Sequence, residues 1–191
     1  MNQQPEKAEL TKRAFIDAFW LLAKKQGLFR VTVSQVAKKA GYHRGTFYVY
    51  FEDINDLILS AENEIIDELK EKLYTTPPLE FLFDSQKTFE RIIRLIDEYD
   101  DKIFMLLSSD GDPNFLMRLR KEATVFVDSL LSTLGAELKV PSEYLVVYIS
   151  SAVGGLLGHW YENGKPEPLE EVIAMGPQML KSGFYGMIRN K

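Results

Sequence analysis

Residues 32–51 read T-V-S-Q-V-A-K-K-A-G-Y-H-R-G-T-F-Y-V-Y-F. The stretch predicts two short helices, over about 33–40 and 44–50, joined by a tight turn at Gly41. Such a turn needs left-handed or open backbone, where a Cβ would be costly. Thr32 is placed to cap the first helix, its hydroxyl taking up a free amide of the first turn. Val36, Ala37 and Ala40 give that helix a small apolar face; Phe47 and Phe51 give the second one at i and i+4. Helices this short bury little alone and need a third against them. Residues 6–26 supply it: Leu10, Ala14, Phe15, Ala18, Phe19, Leu22 and Ala23 form a helical stripe that Gly27 ends.

With Phe47 turned inward, helical steps of about 100° put Gly45 and Val49 on the opposite face, flanked by Thr46 and Tyr48. The outward surface, Arg44, Gly45, Thr46, Tyr48 and Val49, has two hydroxyls and no acid. Such a face suits DNA: Arg and hydroxyls bond phosphates, a bare glycine permits groove entry, and an exposed Val meets a thymine methyl. A merely solvated polar face is the plain alternative, and spacing alone leaves it open.

A-G-Y-H-R-G-T-F-Y-V-Y-F, followed by Leu57, resembles the DNA-binding region of the TetR family of bacterial transcriptional regulators. The family pattern is A-G-V-S-x-G-x-L-Y-x-H-F-x-x-K-x-x-L, and Ala40, Gly41, Gly45, Tyr48, Phe51 and Leu57 fall at its spacing. The resemblance covers roughly the first 60 residues directly; the rest matches in length and helical organisation. It implies that Arg44, Gly45, Thr46, Tyr48, Val49 and Tyr50 face DNA, with Thr32 and Gln35 assisting. Four departures matter. His43 replaces the usual Ser cap, Val49 an aromatic, and Tyr50 a His. Ile54 stands where the family has a phosphate-contacting Lys, which bears on affinity and salt dependence rather than on fold.

Net charge is −5, but it is unevenly spread. Residues 1–50 hold nine Lys and Arg against three acids; the remainder holds fourteen against twenty-five. A basic head on an acidic body fits phosphate binding at one end. There is no cysteine, which excludes disulfide and thiol chemistry and fits a reducing cytosol. The two histidines, His43 and His159, lie far apart, so no zinc site is expected. No signal peptide is visible at the N-terminus, and a cytoplasmic location is the expectation.

The segment 54–73 reads as one long helix capped by Asp53, with Leu57, Ile58, Ala61, Ile65, Leu69 and Leu73 as its stripe. Thr75-Thr76-Pro77-Pro78 breaks the pattern and marks the clearest boundary. The expected organisation is a DNA-binding domain over 6–52 (motif 32–51, connecting helix 53–74) and a regulatory and dimerisation domain over 75–191. Further helices are expected over 79–98, 100–108, to about 134 after Asp112 as cap and Pro113 at the first position, 142–161 and 168–188. Pro177 should kink the last or start it afresh. No segment alternates like a strand, so the fold is read as all-α with about nine helices.

From Tyr144 to Tyr161 the chain carries no full charge, close to a membrane span in length. Serines and glycines dilute it and no basic flank anchors it, so a buried helix rather than a membrane span is expected. Ser151 with Gly155, and Gly154 with Gly158, have the spacing that lets another helix approach closely. The resemblance implies a homodimer through the last two helices, which in turn predicts a near-palindromic DNA operator. It also implies a small-molecule effector pocket, for which Phe104, Met105, Met117, Phe126 and Tyr148 are the candidates; plain core is the alternative for each.

The reading is a DNA-binding transcriptional repressor released by an unnamed effector, with no cofactor. An effector-independent regulator, or an activator working through a protein partner, differs from it in a gel shift with and without small molecules. A small helical enzyme is disfavoured, since no Cys–His, Ser–His–Asp or paired-carboxylate constellation stands out. A purely structural helical dimer would ignore DNA even at low salt.

Overall fold

The computed structural model describes residues 3–74 and 101–186, with positions 90, 94, 98 and 99 between them. The described residues form eight α-helices and one 3-10 turn, with no strand among them. They are α1 (Gln3–Gln26), the 3-10 turn Leu28–Arg30, α2 (Val33–Ala40), α3 (Arg44–Phe47), α4 (Ile54–Tyr74), α5 (Asp101–Leu107), α6 (Pro113–Leu134), α7 (Ser142–Glu162) and α8 (Leu169–Gly186). The Pro77-Pro78 boundary lies outside the described residues, as does the helix expected over 79–98 apart from positions 90, 94 and 98. The chain divides into two compact units, Met1–Asp67 and Glu68–Lys191, and α4 runs through the division.

In the first unit, local chemistry sets the ends of the elements. Gly27, at φ 88°, ends α1, its N–H donating to the Ala23 carbonyl at 2.8 Å. Thr32 caps α2, accepting from the Gln35 N–H, while the Gln35 carboxamide oxygen accepts from the Thr32 N–H at 2.9 Å. This reciprocal pair satisfies two amides that the first turn would leave orphaned. Gly41 closes α2 at φ 79°, and the following Tyr42 N–H reaches the Ala37 carbonyl at 2.9 Å. Asp53 caps α4 as expected, its Oδ1 accepting from the amides of Asn55 and Asp56 at 2.7 and 2.9 Å. The core is aromatic: Phe15, Phe19, Phe47 and Phe51 are all buried, with Ile16, Leu28, Val36 and Leu57 around them.

In the second unit, Asp112 caps α6 with Pro113 at its first position, and Gly135 closes it at φ 59°. Arg120 on α6 clasps two hydroxyls of α7, its Nε donating to Ser150 Oγ at 2.8 Å and its Nη2 to Ser151 Oγ at 2.7 Å. The amide of Ser109 donates to Glu162 Oε1 at 2.6 Å, which ties the turn after α5 to the end of α7. That backbone bond holds the Glu162 carboxyl below its ordinary range. At Pro177 the last helix is expected to kink or to start afresh. Although Pro177 has no N–H to give the Ile173 carbonyl, α8 continues through it as a single element and does not restart.

The glycine spacing on α7 resolves into two different faces. Gly158 abuts the end of α5: a Cβ there would stand 2.9 Å from the Leu107 carbonyl oxygen. Gly154 faces the Leu107 side chain, while a Cβ at Gly155 would meet nothing within 4 Å. Gly158→Ala is therefore expected to cost ~1–3 kcal/mol through forced backbone movement. Gly155→Ala should leave folding stability unchanged or raise it by up to ~1 kcal/mol through helix propensity. Urea midpoints of the two variants check the contrast; equal midpoints would remove the close approach as the reason for Gly158.

Candidate nucleic-acid interface

The site begins with Phe15, which sits at the centre of an aromatic cluster. Its ring lies 5.4 Å from Phe47, edge-on at 79°, and 6.2 Å from Phe51 at 85°. Tyr42 and Tyr50 tilt against it at 5.3 and 6.2 Å. These rings anchor the buried side of α3 and the turn after it, which fixes what the other side presents. Edge-on packing of this kind contributes beyond the area it buries.

The regular part of α3 is shorter than expected, Arg44–Phe47 rather than 44–50. His43 makes no side-chain cap bond, and the chain beyond Phe47 tightens: the Val49 and Tyr50 amides donate three residues back, to Thr46 and Phe47, at 3.3 and 3.0 Å. Bonds of that span belong to the tighter 3-10 geometry, which short helix ends favour. The Phe51 N–H still reaches the Phe47 carbonyl at 3.0 Å, so both phenylalanines stay on the buried side.

The outward side carries Arg44, Gly45 and Tyr48, all exposed, with Val49 standing 74% exposed and Thr46 half-buried. Arg44 Nη2 donates to the Tyr48 hydroxyl at 3.3 Å, bringing a guanidinium and a phenol together on the surface. Nothing lies within 4 Å of where a Gly45 Cβ would be. The patch thus has one cation, two hydroxyls, an open backbone and a projecting Val. Tyr50 is the exception, half-buried with its ring against Phe15.

Thr32 and Gln35 are both exposed, but their polar atoms are engaged in the α2 cap, and the Gln35 carboxamide also pairs with that of Gln26. The T-x-x-Q spacing carries the signal for that cap. Arg13 lies close to two carboxylates, Asp17 at 3.7 Å and Glu64 at 3.4 Å, so a phosphate would compete with both for it. Tyr42 was not among the sequence candidates. It packs on Phe15 and its hydroxyl lies 3.5 Å from the buried Thr11 Oγ1, which gives it a positioning role.

The effector candidates divide between buried and exposed positions. Phe104 and Met105 are buried on α5, and Phe126 is buried with its ring edge-on to Tyr74 at 5.2 Å. Met117 and Tyr148 stand 60% and 63% exposed. Residue type selected these two; the side of the helix on which each falls places them at the surface.

The family model described as bacterial regulatory proteins, tetR family, matches residues 7–61, and the transcriptional regulator C-terminal region model matches residues 84–182. The chain belongs to the TetR family. The two models describe regulatory proteins of transcription, not enzymes. An HTH-type transcriptional regulator of Bacillus subtilis (strain 168), YxbF, is 26% identical over 94% of the chain. The chain spans 46% of that relative's length. Among solved structures, a TetR transcriptional regulator from Streptococcus agalactiae 2603V matches with a TM-score of 0.63 at 24% identity, over 93% of this chain and 97% of that one. The FadR regulator from Bacillus subtilis in complex with stearoyl-CoA matches with a TM-score of 0.61 at 16% identity, over 92% and 99%. At these identities the structural likenesses show the TetR-family fold. No helix among the described residues is long and apolar enough to cross a membrane.

Proposed function

We propose that the chain is a cytoplasmic, homodimeric repressor that binds a near-palindromic DNA operator and is released from it by a small-molecule effector. The division of labour is a DNA-binding domain over 6–52, with the connecting helix 53–74, and a regulatory and dimerisation domain over 75–191. The observation that carries the DNA reading is the surface of α3 and its following turn. Arg44, Gly45, Thr46, Tyr48 and Val49 crowd a rigid aromatic base without an acidic side chain among them. Phosphate contacts from Arg44 and the hydroxyls would set register, and Val49 would meet base edges. Tyr50, Thr32 and Gln35 take secondary places, the first held by Phe15 and the others by the cap.

Dimerisation through α7 and α8 is supported by apolar side chains left uncovered on both. Tyr144, Val147 and Tyr148 on α7 and Met179 on α8 are exposed, with the small Ser151 and Gly155 also exposed on α7. Large exposed apolar side chains next to small residues suit a close helix–helix contact with a second copy. In this reading Tyr148 belongs to the interface, and the effector candidates reduce to the buried Phe104, Met105 and Phe126. An effector lowers operator affinity only by its preference for the conformation that binds DNA less well. The stearoyl-CoA bound by the Bacillus subtilis FadR makes long-chain acyl thioesters the first class to try.

A gel shift on a recovered operator, with and without such thioesters, tests release. Loss of the shifted band on addition supports an effector-responsive repressor; a band indifferent to every effector class points to the effector-independent alternative. Ile54→Lys restores a cation at the family's phosphate-contacting position. It is expected to tighten binding at low salt and to steepen the log K against log salt slope by about one per half-site. An unchanged slope would mean that position 54 does not reach the duplex.

A further inference from the structure

The loop between α7 and α8 reads N-G-K-P-E-P over 163–168. Two successive residues in it are left-handed, Gly164 at φ 77° and Lys165 at φ 58°. Lys165 is the one residue other than glycine with positive φ among the described residues. A side chain is disfavoured in that conformation, so something holds it there. Part of the answer is backbone: the Lys165 N–H donates to the Trp160 carbonyl at 2.9 Å, and the Trp160 indole N–H donates to the Glu167 carbonyl at 2.9 Å. The loop is folded back onto the end of α7.

The rest is the Lys165 side chain. Its Nζ lies 5.2 Å from the ring centre of Phe104, 5.5 Å from Trp160 and 5.4 Å from Tyr161. The same nitrogen is 2.6 Å from Asp101 Oδ1. The rings brace one another, Phe104 meeting Trp160 at 5.4 Å nearly edge-on and stacking on Tyr161 at 5.9 Å with 15° between planes. Phe104 and Trp160 are buried, so two of the three walls are fixed by the core, while Lys165 itself is exposed. An ion pair needs no rings, and a hydrophobic core needs no carboxylate. Three aromatic rings and one carboxylate converging on a point make an environment that selects an ammonium group.

We propose that Asp101, Phe104, Trp160 and Tyr161 form a receptor for organic ammonium ions, and that Lys165 is its built-in occupant. A small alkylammonium ligand, primary or quaternary, takes the cage when Lys165 swings out into solvent. The tether keeps the lysine at a high effective concentration, so in the intact chain an outside ligand must outcompete it. The inference concerns the second unit alone and does not rest on DNA binding.

Lys165→Gly vacates the cage and puts at φ 58° the residue that adopts it freely. Tetramethylammonium chloride is titrated into the full chain and into K165G at constant chloride, following the indole N–H resonances of Trp160 and Trp20 by NMR. The expected result is a saturable shift of Trp160 alone, with affinity in K165G about tenfold or more above that of the unaltered chain. Neopentyl alcohol, a neutral molecule of similar shape, should move neither resonance, and adding Asp101→Asn to K165G should weaken binding several-fold. Lys165→Asn, which also tolerates left-handed backbone, serves if K165G does not fold. The proposal is overturned if Trp160 stays still in a folded Lys165 variant, if the neutral molecule binds as well, or if the unaltered chain binds equally tightly.

Discussion

Gly45→Glu is expected to abolish specific DNA binding while the protein stays folded. A Cβ at this exposed position would meet nothing within 4 Å, so the fold does not oppose a side chain starting there. Glutamate is also the better helix former, by roughly half a kcal/mol. On a duplex the same carboxylate would stand between Arg44 and Thr46 at the point of closest approach, facing phosphates. Like charges brought together at an interface cost several kcal/mol, a loss on the order of a hundredfold or more. Urea melts and fluorescence-anisotropy titrations on the same preparation check both halves. A variant that still binds its operator would place the duplex elsewhere on the molecule.

Phe15→Ala is expected to give the largest loss of stability. The side chain is wholly buried and touches Tyr42, Phe47, Tyr50 and Phe51. Truncating a Phe in such a site costs ~3–5 kcal/mol, because the surrounding rings cannot all collapse into the space. That is a large part of the ~5–15 kcal/mol that holds a domain folded. Leu10→Ala on the same helix serves as the control, since Leu10 is exposed and its loss should stay within about half a kcal/mol. DNA binding should fall with Phe15→Ala at temperatures where the residual helix signal shows partial melting. Comparable stability for the two variants would mean that Phe15 is not what holds the α3 surface in place.

What was legible in the sequence was mostly local. Thr32, Gly41, Asp53, Asp112 and Pro113 act within one turn of a helix end, and each appears in the structure doing what its chemistry requires. The aromatic floor under α3 was legible too, because Phe15, Phe19, Phe47 and Phe51 repeat at helical spacing. The length of α3 was not, since i→i+3 bonds end it without a breaking residue. Met117 and Tyr148 have the right chemistry for a pocket but fall on exposed sides of α6 and α7, which residue type does not encode. The cage around Lys165 draws on residues 101, 104, 160, 161 and 165. Only the packing of α5 against the end of α7 brings them together, and no motif announces it.

Selection of bound fragments from random duplex DNA tests the central claim most directly, with the unaltered chain and the Gly45→Glu variant run side by side. The account predicts that the unaltered chain recovers an inverted repeat, with half-sites about one helical turn apart or a multiple of it, and that the variant recovers none. Absence of any enriched sequence, or the same repeat recovered by both proteins, would contradict it.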